Sequence, residues 1–465
     1  MKKTLILLIL IHNCFSIIAQ ESPGIRNSNY AGIQASLLNP ASIAGSRIKW
    51  DVNLISGGVL FDNNFVFIPK ARVPVLGFKK IIDGVVHADL FHTYFNPQEP
   101  GKLYNFTFSS EILGPSFNIT VAKKHVIGLT IASRSYGNIR NVSGHLGQNA
   151  FAYLREKDLW NTSFADNRTT LNLMSWLDYG LHYATVIYSR GQDELKVGIS
   201  LKYLQGIAAA YAKNTRLNYT IADTTNILFT NSSLDYGRTD YDSYRKISGY
   251  HDLNHGHGFG GDLGLVYVHH HEGGQDSANK SGYIYRVGIS MLDIGAIRFD
   301  KNAAAYHLQA DGATYPGWGQ SHITSNIQLD RTLSAVFYNG DSAKSLTASH
   351  FNMTLPTALS IQADWNFYKD FFLNATIIKN SRNPGKQGAV RPDIYSVAVR
   401  YENKKYEVSV PLSLLYYGRW QPRIGFSARI YYFFFGAEAP WGLLGLKNFD
   451  RTDFYAGLHF FILNK

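Results

Sequence analysis

Strand-length runs of alternating apolar and polar residues recur along this chain almost to its last residue. One clear pair is 179–187 and 197–203, where aliphatic and tyrosine side chains alternate with small or polar ones on either side of a short charged turn. On the second run the polar face consists of Gly198, Ser200 and Lys202. Successive side chains of a strand point to opposite faces, so each run has one apolar and one wet face. A strand between lipid and an aqueous lumen needs this pattern, which predicts an all-β fold: a transmembrane antiparallel β-barrel of about 14 strands (14–16).

Further hairpins repeat the alternation and bring the total to about fifteen runs. They lie at 117–131, 263–291, 359–377 and 395–412, and the final run is 454–462. Bacterial single-chain barrels normally have an even number of strands. We therefore expect one missing or spurious run between 294 and 351, where 333–338 is a candidate strand.

Long polar stretches separate these hairpins, and we predict them to be loops. They lie near 137–174, 207–256, 301–350 and 436–452. Short turns alternating with long loops are typical of outer-membrane barrels. We find no second domain, so residues 48–465 are predicted to form one barrel.

The composition agrees with a barrel. Charged residues make up 17% of the chain, below the roughly 25% of ordinary soluble proteins. Aromatic residues make up 14% and there are 41 glycines, which suits strands with aromatic residues at the membrane interface. A secreted β sandwich shares much of this composition and is the alternative.

The first twenty residues predict a secretory signal peptide. Lys2 and Lys3 precede an apolar run that ends near Ala19, and this run is too short to anchor the chain. We expect cleavage after Ala19 or Gln20. The single cysteine, Cys14, lies inside this signal, so the exported chain is expected to hold together without disulfides.

A segment without strand alternation, 21–47, follows the signal and contains the break Asn39-Pro40-Ala41. Alternation begins directly afterwards at Trp50. A short non-strand segment in front of a barrel is predicted to lie against or inside it, so these three residues are candidates for a luminal plug.

Six charged residues lie within or at the ends of strand-like runs, where an inward-facing charge needs a partner or water. They are Asp178, Lys202, Asp262, Arg286, Asp293 and Arg400. They are candidates for luminal charges, either lining a transport path or, as we favour, forming structural ion pairs.

No motif predicts catalysis, a cofactor or a metal. His251, His255, His257 and the run 269–271 are the metal-like histidines, but their spacing matches no closed site. Gly256, Gly258 and Gly261 satisfy GxGxxG, yet they precede a strand-like run instead of opening a helix. We therefore expect no enzyme, no cofactor and no bound metal. Scattered basic residues on an exported chain with net charge +11 indicate anionic lipid or lipopolysaccharide as a partner and not nucleic acid.

Two segments resemble a known family. Residues 30–47 (YAGIQASLLNPASIAGSR) and 288–299 (GISMLDIGAIRF) are similar to uncharacterised outer-membrane barrels of Bacteroidota that are assigned to a domain of unknown function. That family looks like a distant relative of the FadL-type fatty-acid transporters and of the PorV component of type IX secretion. Both have an Asn-Pro-Ala segment before the barrel. The resemblance implies about 14 strands and an N-terminal segment in the lumen, but the FadL ligand-binding residues cannot be placed here.

These features predict an outer-membrane barrel that acts as a FadL-like passive channel for a small or hydrophobic solute. Displacement of the segment around Asn39, or a gap beside a bent strand, would open the path. The alternative is a scaffold that conducts nothing and docks surface or secretion-system proteins through its long loops, as a PorV-like component would.

Overall fold

The computed structural model describes residues 23–70, 101–122, 124–152, 157–240, 254–271, 282–316, 325–383, 386–442 and 444–464. The predicted signal peptide, 1–20, and His251 lie outside these residues. Within them no helix is long and apolar enough to cross a membrane.

The described residues form 22 strands of a single sheet. The strands are β1 Ile48–Asn63, β2 Leu103–Leu113, β3 Ser116–Val121, β4 His125–Ser143, β5 Ser163–Ala165, β6 Thr170–Arg190, β7 Asp193–Ile221, β8 Ile227–Thr239, β9 Gly256–His270, β10 Tyr283–Phe299, β11 Ala303–Ala310, β12 Ala313–Tyr315, β13 Leu346–Ala348, β14 Phe351–Thr354, β15 Ala358–Tyr368, β16 Phe371–Asn380, β17 Asp393–Glu402, β18 Tyr406–Tyr416, β19 Trp420–Ile424, β20 Phe426–Ile430, β21 Phe433–Ala437 and β22 Arg451–Leu463.

The sheet closes on itself because β1 pairs with β2 and β3 on one edge and with the last strand, β22, on the other. Three strands of the wall are interrupted, and each of them carries two labels. The two parts of each pair with the same neighbouring strand: β2 and β3 with β1, β14 and β15 with β10, and β19 and β20 with β18. Strands β5, β8, β11, β12 and β13 lie outside the closed wall. The wall therefore has 14 antiparallel strands, and the predicted fold class is confirmed.

Burial along the wall is inverted relative to a soluble protein. On β18, Val408, Val410 and Leu412 are exposed, whereas Glu407 and Ser409 between them are buried. In water an exposed apolar face of this size would be unfavourable. The alternation that predicted the strands is thus the alternation between the outside of the barrel and its lumen.

The two ends of the barrel differ. At the turn end, connections of two or three residues join β6 to β7, β15 to β16 and β17 to β18, and the wall begins at Ile48 and ends at Leu463. At the loop end, β7 continues beyond the wall and pairs with β8, which in turn pairs with β11 and β12. Regular structure thus continues into the stretches near 207–256 and 301–350.

Helices are few, and the N-terminal ones contact wall strands such as β18 and β9. They are α1 Pro23–Arg26, α2 Gly144–Ala152 and α3 Asn326–Phe337, together with 3-10 turns at Gly32–Leu37, Pro40–Ile43 and Lys157–Leu159. The candidate strand 333–338 is wrong, because most of it belongs to α3. The hydroxyl of Ser325 accepts a hydrogen bond from the backbone N–H of Gln328 and caps this helix.

Candidate functional site

The lumen of the barrel is occupied by the chain itself. Residues 23–47, here called the luminal segment, run inside the wall, and most of their side chains are buried. Leu38 lies in one apolar cluster with Ile378 of β16, whereas Ile43 lies in another with Val126 of β4. These two wall strands are on opposite sides of the barrel, so the luminal segment spans the lumen.

Glycines on neighbouring strands make room for the Asn39-Pro40 turn. Gly198 of β7 and Gly264 of β9 face each other in the wall. A Cβ atom on Gly198 would lie 2.3 Å from the carbonyl carbon of Pro40, and one on Gly264 would lie 2.1 Å from Oδ1 of Asn39. Gly288 on β10 adds a third position of close approach. The small-residue face of these strands is therefore the surface on which the luminal segment lies.

Asn39 binds the wall through its side-chain amide. Its Nδ2 donates to the carbonyl oxygens of Leu265 (3.2 Å) and Ile289 (3.3 Å) and to Oε1 of Gln362 (3.0 Å). Its Oδ1 accepts from the backbone N–H of Ala41 at 3.0 Å. A buried amide whose hydrogen bonds are all made inside the protein costs little to bury. Asn39, Pro40 and Ala41, the predicted plug candidates, thus lie together against the wall.

Charged wall residues bind the start of the luminal segment. Arg26 forms an ion pair with Glu111 of β2, and the hydroxyl of Ser28 donates to Glu407 at 2.6 Å. Arg286 donates through Nη1 to Oδ1 of Asn29 at 3.2 Å. None of these contacts is strand pairing, so the segment is bound through side chains and not as part of the sheet.

A buried ion-pair network crosses the lumen at Asp293. This carboxylate accepts from Arg134 and Lys202 at 2.7 Å each and from Arg391 at 2.5 Å. Lys202 also binds Asp262 at 2.9 Å. The network has four cations and four carboxylates, namely Arg26, Arg134, Lys202 and Arg391 with Glu111, Asp178, Asp262 and Asp293. We call it the central network, and its formal charge is balanced.

The structure divides the six predicted luminal charges between two groups. Four of them belong to the central network: Asp178, Lys202, Asp262 and Asp293. The other two, Arg286 and Arg400, share Asp364, with Nη2 to Oδ2 distances of 3.2 Å and 2.8 Å. Sequence reasoning missed Glu111, Arg134 and Arg391, although Glu111 and Arg134 lie on wall strands.

The wall is irregular beside the central network. β10 pairs with β15 as far as Leu292 and with β14 from Ala296 onward. Between these points Asp293 has a positive φ of 51°, and its carbonyl oxygen accepts from the hydroxyl of Thr357 at 2.7 Å. The ladder is thus interrupted at this place, while local hydrogen bonds bridge the two strands.

A second segment enters the lumen from the loop end. Residues 386–392, here called the inward loop, connect β16 to β17, and Ala389, Val390 and Arg391 are fully buried. The backbone N–H of Gly388 donates to Asn172 at 3.1 Å and that of Val390 donates to Asn138 at 2.9 Å. The polar composition of this stretch gave no signal that it would fold inward.

An apolar cluster fills the loop half of the lumen around the inward loop. Ala389 packs there with Trp176, Leu204, Met353 and Leu355. This cluster, the central network and the luminal segment all lie across the lumen.

A cavity remains at the turn end. It has a volume of about 1050 Å³ and lies between the luminal segment, β9, β10, the turn from β17 to β18 and the last residues of the chain.

The histidines and glycines of the sequence motifs take structural positions. His257 and His269 lie near opposite ends of β9, where His269 contacts Asp193 at 2.8 Å. Within the described ranges no three His, Cys, Asp or Glu side chains gather as a metal site. Gly256 and Gly258 lie against the neighbouring strand, where a Cβ would come within 2.4 Å and 2.1 Å of carbonyl oxygens of β10.

Comparison with known proteins gives a family and distant structural likenesses. The model of a family of unknown function (DUF5723) matches residues 40–438. No curated protein matches by sequence.

Among solved structures, a mutant of the monoaromatic hydrocarbon channel TodX is 10% identical with a TM-score of 0.47, covering 94% of this chain and 95% of its own. The Ralstonia pickettii toluene transporter TbuX is 10% identical with a TM-score of 0.41, covering 96% and 99%. A Pseudomonas aeruginosa FadL homologue is 8% identical with a TM-score of 0.30, covering 92% and 93%.

Proposed function

The chain belongs to the DUF5723 family of unknown function, and from its architecture we propose that it is an outer-membrane β-barrel that serves as a passive, FadL-like channel for a small or hydrophobic solute. The luminal segment would be its plug. The signal peptide predicted at 1–20 would export it, and the outward apolar face would contact outer-membrane lipid and lipopolysaccharide.

Two rows of aromatic side chains support the placement in a membrane. Near the loop end, Tyr179, Tyr203 and Phe259 form a row of neighbouring rings on β6, β7 and β9, with centroids 6.2 Å and 5.7 Å apart. Nearer the turn end, Tyr267 and Tyr285 are 6.1 Å apart. Aromatic rings in two bands around an apolar zone are typical of the interfaces of transmembrane barrels.

The observation on which the channel proposal rests is how the lumen is filled. Segment 23–47 is held by side-chain hydrogen bonds and ion pairs with the wall. Segment 386–392 has such contacts and, in addition, one backbone bridge from Gly388 to Thr354 of β14. The wall closes between β1 and β22 without either segment. A segment that is not part of the sheet can leave the lumen without breaking the wall. The lumen is therefore occupied by two segments that do not belong to the wall, together with wall side chains of the central network and of the apolar cluster.

Solute permeability of liposomes tests the proposal. Four proteins would be compared: the intact chain, a deletion of 21–47, a chain with 386–392 replaced by a Gly-Ser linker of equal length, and the double variant. We expect the intact chain to be closed to arabinose and to give little ion conductance. The double variant should be permeable, and each single variant should be much less so because the remaining segment still blocks the path.

Folding of each variant would be established first from its heat-dependent migration on gels. A double variant that is folded, inserted and still impermeable to both arabinose and ions would overturn the channel proposal.

The scaffold alternative has its own supporting observation. β8, β11, β12 and α3 form a projecting structure at the loop end, and the side chain of Asp330 in α3 binds Tyr236 of β8 at 3.0 Å. An ordered projection could dock surface or secretion-system proteins while the lumen stays closed. Affinity purification from the native outer membrane separates the two functions. The variant replaces 227–239 and 303–337 each by a short Gly-Ser linker, so that wall strands β9 and β10 stay in place. A stoichiometric partner that is lost from this variant would favour the scaffold.

A further inference from the structure

The cavity at the turn end has an excess of positive charge. Six cationic side chains line it: Arg26, Arg47, Lys196, Arg286, Lys404 and Lys405. The carboxylates lining it are Asp364 and Asp370. Because Asp364 is shared by Arg286 and by Arg400 from outside the cavity, it neutralises little of this charge.

The charge excess resides mainly at three residues. Arg26 already binds Glu111, and Lys196 has Glu194 at 3.6 Å. Among the described residues, no carboxylate lies within ion-pair distance of Arg47, Lys404 or Lys405. Arg47 ends the luminal segment and the two lysines form the turn between β17 and β18, so these cations approach the cavity from two different elements.

The size of the cavity suits a small organic molecule. Its volume of about 1050 Å³ lies just above the range of roughly 300–1,000 Å³ that is typical of ligand pockets. Several cationic groups in a cleft with low-dielectric walls raise the local concentration of anions. Lys196 is almost completely buried, and its ammonium group also reaches the carbonyl oxygen of Gly45 in the luminal segment at 3.3 Å.

We propose that this cavity is a binding site for a small organic anion with carboxylate or phosphate groups. The inference deepens the proposed function, because it names the class of solute that would enter or leave at the turn end. The inference depends on the proposed channel only where it concerns passage of the solute through the barrel. Binding itself requires the cavity and its cations, whether or not the lumen ever opens.

Isothermal titration calorimetry of the full chain in detergent tests the site. Sodium succinate and inorganic phosphate would be titrated separately, with the neutral diamide of succinate as ligand control. The variant is Lys404→Gln together with Lys405→Gln. The matched control is Lys301→Gln together with Lys344→Gln, which removes two exposed lysines outside the cavity.

We expect at least one of the two anions to bind the wild-type protein and the diamide not to bind. The Lys404 and Lys405 variant should bind that anion about tenfold or more weakly, while the Lys301 and Lys344 variant should match the wild type. Succinate alone would assign the site to carboxylates, and phosphate alone would assign it to phosphates.

The proposal is overturned if neither anion binds the wild-type protein, or if the variant at 404 and 405 binds as tightly as the control variant. Because no passage through the barrel is involved, this outcome is independent of the liposome result. A folded, permeable barrel without an anion site and an impermeable barrel with one are distinguishable.

Discussion

Asp293 binds three cations that come from different parts of the chain: Arg134 on β4, Lys202 on β7 and Arg391 in the inward loop. Alternation predicted that Lys202 and Asp293 face the lumen, because the face of a strand residue follows from its position in the run. It could not predict that Arg391 joins them. That contact depends on the path of a loop, and loop residues show no regular alternation from which the direction of a side chain could be predicted.

Replacing Asp293 by Asn tests the central network. The substitution keeps the shape of the side chain but leaves Arg134, Lys202 and Arg391 with less negative charge around them. Breaking a buried ion pair from one side typically costs about 3–5 kcal/mol, because it leaves an uncompensated buried charge. We expect a loss of about 3 kcal/mol or more in the free energy of unfolding, measured by urea titration in lipid vesicles.

The control for this experiment is Asp311→Asn, which removes an exposed carboxylate at the loop end. It should change the free energy of unfolding by no more than about 0.5 kcal/mol. Equal unfolding midpoints for the two variants would show that the central network contributes nothing to stability.

At the scale of elements, hairpin periodicity predicted the wall well and the loop end poorly. Wall strands such as β17 and β18 alternate because one face meets apolar surroundings and the other the lumen. Where β7 extends beyond the wall, its two faces no longer meet different surroundings, so no alternation is required. Residues 207–221 of this strand are mostly small or polar. Such a stretch looks like a loop although it pairs with β8. The error at 333–338 has a similar cause, since a short apolar run does not distinguish strand from helix.

Gly198→Ala tests the contact between the luminal segment and the wall. The new Cβ would lie 2.3 Å from the Pro40 carbonyl carbon and 2.4 Å from the Ala41 nitrogen. These are backbone atoms, so the segment must move. Overpacking of this kind costs about 1–3 kcal/mol, which corresponds to a displaced population that is roughly 5-fold to 150-fold larger.

A cysteine at position 36 reports the displacement. Ser36 is fully buried in the luminal segment, and the only native cysteine, Cys14, lies in the predicted signal peptide. Maleimide labelling of Ser36→Cys should be roughly 5-fold to 150-fold faster in the Gly198→Ala background. Gly114→Ala is the control, since its Cβ would meet only a carbonyl oxygen of Ile131, at 3.4 Å. Identical labelling rates in the two backgrounds would contradict the contact.

At the scale of the molecule, the architecture followed from the sequence but the contents of the lumen followed only in part. About fifteen runs were predicted where the wall has 14 strands, because interruptions such as the one between β14 and β15 and the helical run of α3 obscure the count. The Asn39-Pro40 break indicated an N-terminal luminal segment. The inward loop and the turn-end cavity arise from contacts between distant parts of the chain, which a local pattern does not contain.

The proposed membrane placement requires that lipid covers the outward face of the wall. Leu263 on β9 tests it, because this exposed side chain lies midway between Phe259 and Tyr267 of the two aromatic rows. Those two residues are eight positions apart, about 26 Å along the strand before tilt. An arginine near the middle of the apolar band of a barrel costs about 2–4 kcal/mol. Leu263→Arg should therefore lower the free energy of unfolding in vesicles by about that amount.

Leu446→Arg is the matched control, since Leu446 is 61% exposed against 53% for Leu263 but lies in the connection between β21 and β22. Its stability should stay within about 0.5 kcal/mol of the wild type. If the outward face met water, both substitutions would place a charge in solvent and neither would destabilise the barrel. A difference of about 2 kcal/mol or more between two equally exposed leucines therefore identifies lipid as the surroundings of the wall, whereas equal stabilities would exclude the membrane placement on which the channel proposal depends.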